Sequence, residues 1–484
     1  MKMLFSHSIW LAILTGTTCT IFAIGGVDAP PAPSAPHEVH VAQPKETRLE
    51  NGLRIIVTER PGLPLLAAEV LVRSGAEVDP DKAAGTASMT GALLTKGTES
   101  MSAPQIASAI ESLGGDISSG AGWDESTASV LIMSNKADAA LAILADVVLH
   151  PAFKPEEIDR LKKQRLDGLR VALQQPGAVA SFVSDRVVFG AGEYGHAAGG
   201  TIETLQALQR EDVLKFYKSH YAPANAALIF VGDLSLEQAK GYAEKFFGKW
   251  KSDAAAVETR PPPRSDWKPA NVVVDMPQAG QAAVTVSKPA INRASPDYYA
   301  GLVANAALGN GFASRLNREI RIKRGLSYGA RSSLDARRDI GPFLAAAQTK
   351  NESASEVAKL LIGELKRLST DPVQGDELKS RQALLIGGYA RGLETNEGIA
   401  QALASLATYN LPLERLNQFI PRINAITSKD VAAFAEKYLA STPSLIIAGK
   451  APAFIEPLKK NFGGVRVIAQ ENLDLNQPDL VKRK

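Results

Sequence analysis

Thiol chemistry is nearly absent from this chain: among 484 residues there is one cysteine, Cys19, and it lies in an N-terminal apolar run. Disulfides and cysteine nucleophiles are therefore excluded for everything that follows that run. Histidine is scarce too. His37 and His40 fall in a Pro-rich stretch without further ligands, His150 precedes Pro151 at a helix end, His196 lies in a Gly-rich loop, and His220 near a helix end. With His7 these are all six, and they form no recognisable metal cluster. The formal charge of +3 is too small to argue for nucleic acid, and the Val481-Lys-Arg-Lys ending reads as a solvated tail. Hydrophobic residues at 45% and charged ones at 22% are ordinary for a soluble globular protein.

The length calls for two or more domains. At the start, Lys2 precedes an apolar run from Ile9 to Val27, then small residues around Ala23 and Ala29 and a Pro/Ala-rich stretch to Pro44. This pattern predicts a secretory signal over 1–29 and a flexible linker over 30–45, which suits a bacterial periplasm; the run is also long enough to remain as an uncleaved anchor. Gly16-Thr17-Thr18 before Cys19 is not a lipobox.

A second Pro-rich stretch over 257–269 divides the remainder into an N-terminal unit, 46–256, and a C-terminal unit, 270–468, followed by a tail over 469–484. The two units repeat each other. Gln209 to Tyr221 leading to Leu228-Ile-Phe-Val-Gly232 returns as Thr427 to Tyr438 leading to Leu445-Ile-Ile-Ala-Gly449, and the helix from Pro155 returns from Asp376. Leu53 to Thr58 and Ala67 to Arg73 read as a pair of neighbouring strands. Ser102 caps a helix carrying Ile106, Ile110 and Leu113, stopped by Gly114-Gly115. The helix from Pro155 has a mainly apolar stripe of Ile158, Leu161, Arg165, Leu169 and Leu173. Gly168 interrupts it at about 1 kcal/mol relative to Ala, which reads as close packing.

Two segments carry the motifs. Residues 85–98 read Gly-Thr-Ala-Ser-Met-Thr-Gly-Ala-Leu-Leu-Thr-Lys-Gly-Thr, by itself a small-residue packing helix. Residues 305–329 hold a Gly-containing turn, Ser314-Arg-Leu, a charged helical stretch and Arg321-Ile-Lys-Arg-Gly-Leu-Ser-Tyr328. Gly325-Leu-Ser-Tyr-Gly329 mimics a nucleophile elbow around Ser327, yet that arrangement needs a later His and all six histidines precede it. Gly309-Asn-Gly311 lacks the Lys-Ser/Thr of a phosphate loop.

Both segments, in this order, resemble the insulinase/pitrilysin family of zinc metallopeptidases. Its active-site helix typically reads Gly-x-Ala-His-x-x-Glu-His-x-Leu-x-x-Gly-Thr, an inverted zincin in which two imidazoles one turn apart hold zinc and a carboxylate takes the proton. The frame survives here as Gly85, Ala87, Leu94, Gly97 and Thr98, while the chemical positions hold Ser88, Gly91 and Ala92. The remaining ligand, a Glu on a later helix followed by Pro, falls on Gly168 with Pro176 behind it.

The resemblance implies an α+β fold of two homologous domains, each a mostly antiparallel sheet backed by helices, together forming half a clamshell. It also implies that Arg321 and Tyr328 hold substrate and the developing oxyanion across the chamber, against a bland alternative of a surface charge and a core aromatic. The implied role is a non-catalytic subunit: no cofactor of its own, zinc and His-x-x-Glu-His from a partner chain, peptides as substrates, and membrane contact only through an uncleaved N-terminus. The peptide would add a strand to an edge near Ser118 to Gly122, where the family's usual Asn is here Ser118. A non-hydrolytic scaffold or peptide-binding protein is the alternative. If the alignment holds, His, Glu, His and Glu at 88, 91, 92 and 168 should rebuild a zinc site.

Overall fold

The computed structural model describes residues 41–252 and 267–483. The expected signal, most of the first linker and most of the Pro-rich divider lie outside the described residues. Two six-stranded sheets form the frame. The first holds β1 (Lys45–Arg48), β2 (Arg54–Glu59), β3 (Leu65–Val72), β4 (Asp116–Ala121), β5 (Ser126–Met133) and β6 (Ala226–Gly232). The second holds β7 (Asn271–Asp275), β8 (Ala282–Pro289), β9 (Ala330–Leu334), β10 (Pro342–Thr349), β11 (Ser444–Gly449) and β12 (Val465–Ala469).

Their orders, β1-β2-β6-β3-β5-β4 and β12-β7-β11-β8-β10-β9, superimpose the two halves strand for strand from β2 and β7 onward. Each is antiparallel apart from its first half's return, β6 beside β2 and β11 beside β7, with β12 also parallel to β7. The α+β architecture and the internal duplication follow the sequence reading. The expected pairing of residues 53–58 with 67–73 does not: β6 lies between them, hydrogen-bonded to both. All seven residues of β6 are buried, so this apolar strand takes the centre of the sheet and displaces its neighbours outward.

One face of each sheet is covered by helices of its own half, in cores built around Ile55, Val70, Leu141 and Phe230, and around Val284, Val303, Leu361 and Ile447. The opposite faces are covered reciprocally. Helix Asn396–Thr408, from the C-terminal half, packs Ile399, Leu403 and Leu406 on Ile56, Leu71 and Ile229 of the first sheet. Helix Pro176–Phe189, from the N-terminal half, packs Val179, Ala180 and Val183 on Val272, Ala283 and Ile446 of the second. The expected tail joins this second cover. Leu475 and Leu480 are buried in it, and Arg186 Nε donates to the Leu475 carbonyl at 3.2 Å. The end of the first linker is packed as well, Val41 being bonded in both directions to Asn417.

Between the halves, Arg338 in the β9–β10 turn reaches Glu77, and its Nη2 donates to the carbonyls of Asp124 (2.6 Å) and Arg73 (3.0 Å). Tyr194 donates to Asp124 at 2.6 Å beside it. The halves therefore share their cores and should unfold together. Leu403→Ala is expected to lower stability by about 3 kcal/mol, as buried Leu truncations do. Tryptophan fluorescence and far-ultraviolet circular dichroism should report one coincident denaturant transition for both halves. Separate transitions would show that the exchanged cover is not what joins them.

Candidate functional site

The helix Thr86–Leu93 begins at Gly85, whose φ of +95° and approach to Gly200, 2.9 Å from where a Cβ would stand, admit only glycine. Buried Asp79 caps it: Oδ2 accepts from Gly85 N and Oδ1 from Ala87 N, both at 2.9 Å. Ala87, Met89 and Leu93 anchor the helix in the first core, which leaves Ser88 and Ala92, one turn apart, half-buried on the other side.

The second helix, Pro155–Ala172, converges on that face, though not through Gly168. Arg165 Nη1 donates to Ser88 Oγ at 2.6 Å and Nη2 to the Ser88 carbonyl at 3.0 Å. A guanidinium thus sits at the first emptied position, with burial pulling its pKa below the usual arginine value. Gly168 is exposed, and a Cβ there would meet nothing within 4 Å, so close packing does not explain this glycine.

Gly91 is the opposite case. A Cβ would lie 2.5 Å from the Gly120 carbonyl carbon, because the helix rests directly on the backbone of β4. Full restoration of the family's side chains is thereby ruled out as a simple substitution, since Gly91→Glu requires β4 to move. The four positions do not fit zinc: Ser88 is occupied by Arg165, while Gly91, Ala92 and Gly168 offer no donor side chain. Among the described residues no group of three or more His, Cys, Asp or Glu could hold a metal.

The second motif stays open to solvent. After Ser314-Arg-Leu the chain winds through Asn317–Ile322 as a π-helix, with Lys323 N bonded to Arg318 O at 2.9 Å, where the sequence predicted an ordinary charged helix. π-turns of this kind recur at functional sites. Glu319 pairs with Lys323 and Arg324, whereas Arg321 has no carboxylate partner among the described residues. Its guanidinium lies between two rings instead, 4.8 Å from the centroid of Phe312 and 4.6 Å from that of Tyr328. Tyr328 is 90% exposed and Phe312 62%, so neither is a core aromatic. Phe312 was not singled out from the sequence; its place three residues after the Gly309 turn was the available signal.

Asn317 fixes this segment to the edge strand β9, accepting from Ala330 N at 2.9 Å. Gly309 is required because a Cβ would stand 2.2 Å from Ser332 N. Ser327 closes a local turn on Gly329, at 2.7 and 3.1 Å, and has no imidazole beside it, which disposes of the nucleophile elbow. At the corresponding end of the first sheet, β4 is the edge strand, as the sequence predicted, with Ser118 Oγ 3.0 Å from Ser129 Oγ.

Residues 54–184 match the description Insulinase (Peptidase family M16), and residues 207–385 match Peptidase M16 inactive domain, together more than half of the chain. The chain belongs to the insulinase family, M16. An uncharacterised zinc protease of Streptomyces coelicolor is 25% identical over 84% of this chain and 89% of its own length; YmxG of Bacillus subtilis, also described as an uncharacterised zinc protease, is 21% identical over 81% and 95%. The peptidase M16 inactive domain from Pseudomonas fluorescens shares the fold with a TM-score of 0.79 at 28% identity, covering 84% of this chain and 98% of that one. A protease from Helicobacter pylori superimposes with the same TM-score at 19% identity, covering 85% and 100%.

Within this M16 frame the site and its buried surroundings make two predictions. The variant Ser88→His, Ala92→His, Gly168→Glu with Arg165→Ala is expected to bind zinc, while the same triple substitution with Arg165 retained is not. Metal analysis after dialysis distinguishes them, and equal loading would remove Arg165 from the argument. Adding Gly91→Glu should lower the melting temperature of either form.

The second concerns pH. Burial pushes Glu69, Glu77, Glu125 and Asp185 up to about 7 and Asp79 up to about 8. Unfolded carboxyls titrate near 4, so the folded state holds extra protons between these limits. Their contribution is complete below about pH 4 and lost as pH rises to about 8. Glu59, Asp297 and Glu377, held below the usual range by Lys45, by Tyr438 and by Arg315 respectively, oppose this only at acid pH. The melting temperature should therefore fall by several degrees between pH 5 and pH 8; a rise over that interval would contradict the assignment.

Proposed function

We propose that this chain is the non-catalytic, substrate-binding subunit of a two-chain M16 metallopeptidase, exported to the periplasm. A partner of the same family would supply His-x-x-Glu-His and zinc. The observation that carries the reading is the pair of half-buried Arg321 and exposed Tyr328 beside the edge strand β9. An aromatic ring 90% exposed and stacked on an unpaired guanidinium gains little for stability by itself. Such a pair is well suited to meet a peptide carbonyl, since a phenol and a guanidinium both donate to a developing oxyanion. Peptide would bind by adding a strand to a free sheet edge, with affinity from main-chain hydrogen bonds.

A non-hydrolytic scaffold or peptide-binding protein of the same fold is the second reading. It is favoured by the close packing of Gly91 on β4 and of Arg165 on Ser88, which leaves the old site filled. The Arg321 and Tyr328 pair weighs against it, because a pure scaffold has no use for an exposed phenol held beside a guanidinium.

The test is reconstitution with an M16 chain carrying His-x-x-Glu-His from the same genome. Arg321→Ala and Tyr328→Phe should each lower peptide turnover about 100-fold, the usual cost of one oxyanion donor, while the complex elutes unchanged on gel filtration. Turnover unaltered in both variants would leave the scaffold reading.

A further inference from the structure

The run Leu-Leu-Ala-Ala-Glu-Val-Leu-Val of β3 contains one charge, Glu69, on the face that Ala67 and Leu71 present to helix Asn396–Thr408. Only 7% of Glu69 is exposed, and among the described residues no hydrogen bond or ion pair reaches its carboxylate. A buried carboxylate without a partner is costly, and it is kept here at the end of a cavity of about 370 Å³. Toward the open edge the register places Ser129 on β5 and then Ser118 on β4 in the same row as Glu69. Glu125 and Thr127 continue the sheet side of the wall and Gln401, Ser405, Thr408 and Tyr409 form the other side, so the lining carries two carboxyl groups, several hydroxyls, one amide and no lysine or arginine.

The nearby arginines stand outside the lining, although the charge of Arg338 reaches Glu125. Arg338 is spent on Glu77 and on two carbonyls, and Arg73 donates to the Thr408 carbonyl at 3.3 Å. The cavity is also open from the sheet edge. On this face β4 offers Ser118 and Gly120, with Gly122 just beyond the strand; a Cβ on Gly120 would meet nothing within 4 Å. A Cβ on Gly122 would stand 2.3 Å from Glu125 Oε1, so that carboxylate lies against the turn that follows the edge strand.

We propose that this cavity is a specificity pocket for a basic side chain, lysine or arginine, of an extended peptide paired with β4. The inference rests on the reading that peptide adds to a sheet edge, and names what that edge selects. A strand added at about 4.8 Å from β4 turns alternate side chains to opposite faces. Those on one side meet the helix Thr86–Leu93, and those on the other enter the cavity. There a guanidinium or ammonium, which has only donors, meets two carboxyl groups, several rotatable hydroxyls and the Gln401 amide, whose oxygen can accept. Glu125 lies at the turn that ends β4, and Glu69, two strands in from the edge, closes the inner end.

The test uses the full chain and a short extended peptide of alternating threonine and valine with one central arginine, compared with the same peptide bearing citrulline, which keeps the shape and loses the charge. Fluorescence anisotropy should show the arginine peptide binding roughly tenfold tighter, as a charge-assisted hydrogen bond in a buried site provides. Glu69→Gln and Glu125→Gln, each near-isosteric and each checked for an intact melting transition, should reduce that preference to less than about twofold while leaving the citrulline peptide's affinity unchanged. Equal binding of the two peptides, or a preference that survives both substitutions, overturns the pocket and leaves edge binding standing. Binding of neither peptide overturns the pocket together with the edge-binding reading.

Discussion

Each six-stranded sheet has two faces to shield from water, and the helices of its own half shield only one. The reciprocal cover, Leu403 and its neighbours over the first sheet and Val183 and its neighbours over the second, is the constraint on which the rest of the molecule depends. Neither repeat can bury its second face with its own segments, so the duplicated units form a single body. The covers sit over the inner strands. At the far end of the first sheet this leaves β4 as a free edge, with the cavity at Glu69 just inside it. At the equivalent end of the second, β9 is free, with Arg321 and Tyr328 beside it.

The two ends have diverged in opposite senses. In the N-terminal half the frame of a metal-binding helix persists, including Asp79 capping and the glycine turn, while its chemical face is closed by contacts of ordinary packing. Gly91 lies on β4 so closely that no side chain fits, and Arg165 bridges the two helices where their ligands would meet in a zinc-binding relative. In the C-terminal half the rings of Phe312 and Tyr328 stay in solvent beside a half-buried Arg321, on a segment held by a π-turn and by Asn317. Packing gains explain the first arrangement. They do not explain the second, which is why the functional reading is placed there.

The repeat, the alternation of strands and helices and the helix at 155–172 were legible because they rest on periodicity, capping residues and glycine turns, all local in sequence, whereas the helix at 86–93 and an edge near residues 118–122 came from the resemblance to the insulinase family. The neighbour of β2 was not legible, since nothing local says that β6, which follows more than a hundred residues later, is inserted between β2 and β3. Arg165 was visible only as the odd member of an apolar stripe. Glu69 could be seen only as the one charge in an apolar strand, and neither pattern names a contact.

The sequence by itself determined the fold class and the duplication, because these depend on which residues are present and at what spacing. Tertiary structure alone decided that the halves trade helices, that residues 470–481 pack rather than trail, and that Gly91 is a close contact while Gly168 is open. It likewise placed buried Glu69, whose carboxyl group no described residue bonds, two strands in from a free edge. Each of these depends on which distant segment arrives at a surface, and that choice is made by the fit of whole apolar faces rather than by any local pattern.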